Sequence, residues 1–67
     1  MNTELFVKTY LLGNEDAQAF PGEGLYQLAE KRGYVRGTDE FEWFVGGGAA
    51  FVFNGHKFDT KSEEIAA

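Results

Sequence analysis

Read for its alternation of apolar and polar positions, the chain opens on a strand-like run. Residues 3–12, TELFVKTYLL, are rich in β-branched and aromatic side chains, the composition of a pleated, half-buried segment. Alternation places Leu5, Val7, Thr9 and Leu11 on one face and Phe6, Lys8, Tyr10 and Leu12 on the other. Neither face is polar throughout, and the second holds more aromatic surface than a solvent face requires. Gly13 and Asn14 end the run. Residues 14–24 then read as an acidic loop with room for one helical turn capped by Asn14. Phe20, Pro21 and Gly22 break it, and Phe20 is expected to fold back on the core.

The pattern changes period over residues 22–34, GEGLYQLAEKRGY. Leu25, Leu28, Ala29 and Arg32 recur at i, i+3, i+4 and i+7, one face of a helix. Glu23 lies near its positive end, and Lys31 and Arg32 near its negative end. Gly33 is placed for the left-handed position just past the helix, which lets Tyr34 turn back on Ala29 or Leu28. A helix of about ten residues is marginal alone in water and needs a surface to lie on.

Alternation returns over residues 39–45, DEFEWFV. Phe41, Trp43 and Val45 form the expected core face; Glu40, Glu42 and Phe44 form the other. Further on, Asn54-Gly55 is a strong signal for a two-residue hairpin turn. The register that follows pairs Phe53 with His56, Val52 with Lys57, Phe51 with Phe58 and Ala50 with Asp59. It gathers Phe51, Phe53, His56 and Phe58 on one face. The glycines at 46, 47 and 48 then read as the connection between two antiparallel strands, where positive φ is permitted. A phosphate cradle would need a helix, with Lys and Ser or Thr, directly after the glycines; AAFVFNG follows instead.

These elements predict an α+β fold in the order β-α-β-β-β. One short helix packs on a four-stranded, mostly antiparallel sheet ending in the Asn54-Gly55 hairpin. Residues 1–61 form the single domain and 62–67 a frayed tail.

Composition sharpens the picture. In 67 residues there are seven Phe, three Tyr and one Trp, but no Cys, so neither a disulfide nor a thiolate metal site staples the chain. Eleven acids against six bases leave a net charge of −5. That charge argues against direct binding to nucleic acid or to anionic lipid. It suits a soluble domain, or a surface steering toward a basic partner. No basic-then-apolar leader opens the sequence and no apolar run approaches the ~20 residues of a membrane span; a cytoplasmic protein is expected.

Candidate chemistry is sparse. His56 is the single histidine and Ser62 the single serine. Asp59, three residues from His56, falls on the opposite strand face, so no nucleophile–base–acid set forms. The acidic pairs Glu15/Asp16, Asp39/Glu40 and Glu63/Glu64 lack the cleft that acid–base work requires. No calcium-loop spacing is present. No catalytic residue, metal ligand or cofactor is therefore expected, and the protein is read as non-enzymatic.

One lone helix cannot shield so many rings. The expectation is a small acidic protein–protein binding module, an inhibitor or adaptor, using an aromatic and acidic sheet face made of Phe6, Tyr10, Glu40, Glu42 and Phe44. Lys31, Arg32 and Arg36 form a secondary cationic spot. The alternatives are a homodimer through the same face, or an acidic mimic of nucleic acid that occupies a nucleic-acid-binding protein.

Overall fold

The computed structural model describes residues 3–58. Among these the chain forms three α-helices and no strand: α1 (Thr3–Ala19), α2 (Leu25–Lys31) and α3 (Asp39–Asn54). The α+β class, the four-stranded sheet and the Asn54-Gly55 hairpin are overturned; the domain is all-helical. The middle helix stands, inside its expected range. The pairing of Ala50 with Asp59 and the boundary between domain and tail fall on residues outside those described.

The composition of the buried face of α1 is the reason residues 3–12 resemble a strand. The helix buries Thr9, Gly13, Asn14, Asp16 and Ala17, a stripe of small and polar residues at helical spacing. Large apolar residues do not make the buried face: Leu5 and Val7 stay exposed. Asn14, expected in a loop, sits wholly buried in the middle of the helix. Phe20, expected on the core, is about half exposed just beyond the helix end.

The reason for the stripe lies in α3. A Cβ built at Gly13 would overlap the backbone carbonyl of Phe44, and one at Gly47 would overlap that of Tyr10. The two helix backbones therefore touch where they cross. At Gly48 an added Cβ would fall 2.5 Å from Leu25 Cδ2 and 3.3 Å from the Gly13 carbonyl oxygen. The glycine triplet is neither a phosphate cradle nor a strand connection. It is a smooth patch of helix against which a second helix lies. Each glycine costs about 0.5–1 kcal/mol of helix propensity relative to alanine, and the close dispersion contacts of the crossing offset that cost.

Signals at the ends of α3 also fit a helix. Thr38 precedes it in an extended conformation, and its Oγ1 accepts from the Phe41 N–H at 3.4 Å. Asp39, Glu40 and Glu42 occupy the first turn, where carboxylates favour the helix dipole. Gly55 closes the helix with φ of 71°. A glycine with positive φ ends a helix as readily as it turns a hairpin, so the Asn-Gly pair was ambiguous.

α2 behaves as its sequence indicates. Gly33 has φ of 90°, its N–H donates to the Glu30 carbonyl at 3.0 Å, and the Tyr34 N–H donates to the Ala29 carbonyl at 3.1 Å. This brings Tyr34 onto a core of Leu28, Ala29, Phe41 and Phe44, with Leu12 and Val45 packed beside it.

The crossing predicts opposite outcomes for neighbouring glycines. Gly47→Ala should lower unfolding stability by about 1–3 kcal/mol or more, because backbone must move to admit the methyl. Gly46→Ala meets only Tyr10 Cε2, at 3.8 Å, and should be neutral or stabilising by up to about 1 kcal/mol. Urea titration followed by far-ultraviolet circular dichroism measures both.

Candidate functional site: an aromatic row

With residues 3–12 helical, Phe6 and Tyr10 stand one turn apart on α1 rather than alternating along a strand. Their ring centroids lie 5.8 Å apart. Trp43, from α3, meets Phe6 in a T-shaped pair at 5.4 Å and 83°. On the other side Tyr10 meets Phe58 at 6.2 Å, and Phe58 meets His56 at 6.0 Å. Trp43, Phe6, Tyr10, Phe58 and His56 thus form a continuous row of rings drawn from α1, from α3 and from the segment after it. The spacings suit edge-on and tilted aromatic pairs. Trp43, Phe6 and Tyr10 are half-buried, while Phe58 and His56 are exposed. A shallow groove lined by Phe6, Val7, Tyr10 and Leu11 runs beside the row.

The expected binding residues divide. Phe6 and Tyr10 belong to the row. Glu40, half-buried, and Glu42, exposed, lie on the first turn of α3 beside Trp43 in sequence. Phe44 does not reach the surface: it is 0% exposed and packs against Tyr34 at 5.4 Å. The strand reading had put Phe44 outside and Trp43 inside; a helical period exchanges them. Trp43, Phe58 and His56 were missed as members of the row. The i, i+4 spacing of Phe6 and Tyr10 was present in the sequence, but it has meaning only on a helix.

His56 is not at a hairpin tip. It follows α3, and its N–H donates to the Ala50 carbonyl at 3.0 Å.

The cationic spot dissolves into pairs. Lys31 Nζ contacts Glu23 Oε1 at 2.6 Å, Arg36 Nε contacts Glu30 Oε2 at 2.9 Å, and Arg32 forks onto both oxygens of Asp16 at 2.9 and 2.8 Å. Arg36 also lies over the Tyr26 ring. The hydrogen bond to Asp16 raises the Arg32 pKa, against a smaller opposing effect of desolvation; attraction to Asp16, Tyr34 and Glu15 adds to the rise. Each cation therefore already has a carboxylate, and the three do not converge on a shared anion site.

Among the described residues no group of three His, Asp or Glu is arranged to hold a metal ion, and no helix is long and apolar enough to cross a membrane. Comparison with protein-family models, with curated proteins and with solved structures gives no match, so the functional reading rests on this chain's own residues.

The ion pairs differ in burial, and that difference sets what their loss should cost. Asp16 keeps only 10% of its side chain exposed, against 45% for Arg32. Arg32→Gln should destabilise the domain by about 1–2 kcal/mol by leaving that carboxylate without its fork, a figure reduced for the exposure of the arginine. Lys31→Gln and Arg36→Gln remove exposed pairs and should each stay within about 1 kcal/mol of wild type. Denaturant midpoints of the three variants test the ranking.

Proposed function

We propose that this chain is a small acidic, non-enzymatic protein-binding module. It seats the aromatic row on an apolar surface of a partner protein whose border is basic. The observation that carries this reading is the row itself: five rings in unbroken contact, none of them wholly enclosed by the single chain. Aromatic side chains that remain half-exposed at low conformational cost are the usual anchors of protein interfaces.

Charge supports the choice of partner. Asp39, Glu40 and Glu42 share the N-terminal half of α3 with Trp43 and form no ion pair among the described residues. They also stabilise their own helix end, yet their field extends outward and favours approach of a basic surface. A second copy of the chain is the weaker occupant, since each copy carries a net charge of −5. Mimicry of nucleic acid is weaker still. It needs carboxylates laid out like phosphates, whereas Asp16, Glu23 and Glu30 are tied up in ion pairs.

The test is affinity capture from extract of the source cells. Wild type, a Phe6→Ala/Tyr10→Ala double variant, and Phe53→Ala would be immobilised. Phe53 is 78% exposed and stands outside the row. A partner held by wild type and Phe53→Ala, and reduced at least about tenfold by the double variant, is the expected result. Circular dichroism confirms that all three are folded. Equal capture by all three, or capture by none, counts against the proposal.

A further inference from the structure

We infer that the row is a surface of two parts, and that its second part is a strap which detaches as a unit. Trp43, Phe6 and Tyr10 stand on helices. Phe58 and His56 stand on residues 55–58, which leave α3 at the left-handed Gly55.

Among the described residues the strap is held by polar bonds to Asn14 and Gln18, by the His56 N–H donating to the Ala50 carbonyl at 3.0 Å, and by the Phe58 ring against Tyr10. Asn14 Nδ2 donates to the His56 carbonyl at 2.9 Å, and Asn14 Oδ1 accepts from the Phe58 N–H at 2.8 Å. Gln18 Nε2 donates to the Phe58 carbonyl at 3.1 Å and to Asn14 Oδ1 at 2.7 Å. Gly55, His56 and Lys57 are exposed and Phe58 is 39% exposed with its ring against Tyr10 and His56, so the apolar burial that reinforces these bonds is confined to one ring. Segments of that kind open locally at a lower free energy than the whole domain.

Asn14 gives the opening two distinct ends. It is 0% exposed, and its other N–H donates to the Gly47 carbonyl at 2.9 Å, at the crossing of α1 and α3. That bond holds the carboxamide in place whether or not the strap is docked. With the strap docked, both donors and both acceptor positions of Asn14 are used. When it leaves, one donor and one acceptor position lose their protein partner, and Tyr10 loses the ring beside it. The row shortens from five rings to three. Asn14 and Gln18 are thus positioning residues: they bond the backbone of His56 and Phe58, and so set how long the row is. The functional consequence rests on the row being the binding surface; the opening itself rests only on the strap's bonds.

Native-state hydrogen exchange on the full chain, read by NMR, is the test. The Phe58 amide should exchange through a local opening with little dependence on denaturant, while interior amides of α1 and α3 require global unfolding. Gln18→Ala, which removes two bonds, should speed Phe58 exchange about tenfold and leave the helix interiors unchanged. It should also weaken the Tyr10–Phe58 ring cross-peak while that of Phe6 and Trp43 persists. Exchange of Phe58 together with the helix interiors would overturn the inference, as would a Phe58 rate unaffected by Gln18→Ala. Absence of both Phe58 protection and the Tyr10–Phe58 cross-peak in wild type would overturn the docked state. If the local opening is found but affinity capture fails, the strap stands and the binding role of the row falls.

Discussion

Where α1 and α3 cross, a glycine of each helix lies against the other's backbone, Gly13 against Phe44 and Gly47 against Tyr10, and the rest of the molecule is arranged around that contact. Gly13 and Gly47 each lie against the other helix's main-chain carbonyl. Such an approach leaves no room for bulky residues between the helices, so the large rings are pushed to the margins of the interface. Some find enclosure on the α2 side, where Phe41 and Phe44 join Leu28 and Ala29 in the core. The others are left in a line from Trp43 through Phe6 and Tyr10 to Phe58 and His56, partly covered by one another. The same geometry that makes the crossing tight produces the exposed row.

The crossing also determines where polar groups are used. Asn14 sits one residue from Gly13 and is buried because the helices are so close. A buried carboxamide must be satisfied, and here the partners come from α3 and from the chain after it. One side chain therefore links the helix contact to the strap that extends the row. Asp16, also buried on α1, is matched by Arg32 at the end of α2. Each of these polar groups on α1 ties down a different part of the chain, and together they complement a core that is thin in a domain of this size.

How much of this was readable varies by element. Residues 22–34 carried a helical period and a glycine at the exit, and both have their counterpart in α2 and its Tyr34 turn; of the charges placed for the dipole, Lys31 lies in the last turn, while Glu23 precedes the helix and Arg32 caps its end. The start of α3 was also written in the chain, as Thr38 before three acids within four residues. It lost to the alternation of Phe41, Trp43 and Val45, although Phe41, Phe44, Val45 and Gly48 fit a helix equally well. Short apolar runs satisfy both periods. For α1 no comparable signal existed, because its buried face is made of Thr9, Gly13, Asn14, Asp16 and Ala17, small or polar residues with no large apolar side chain to mark a helical stripe.

What the amino-acid sequence determined alone was local: the middle helix and its cap, the acidic balance and the surplus of rings. Tertiary structure alone decided that the glycine triplet is a helix contact, that Phe44 goes inside while Trp43 stays at the margin, and that Phe58 comes to Tyr10. The physical reason is the same in each case. A glycine specifies nothing about its surroundings until another backbone arrives to occupy the space its missing side chain leaves open.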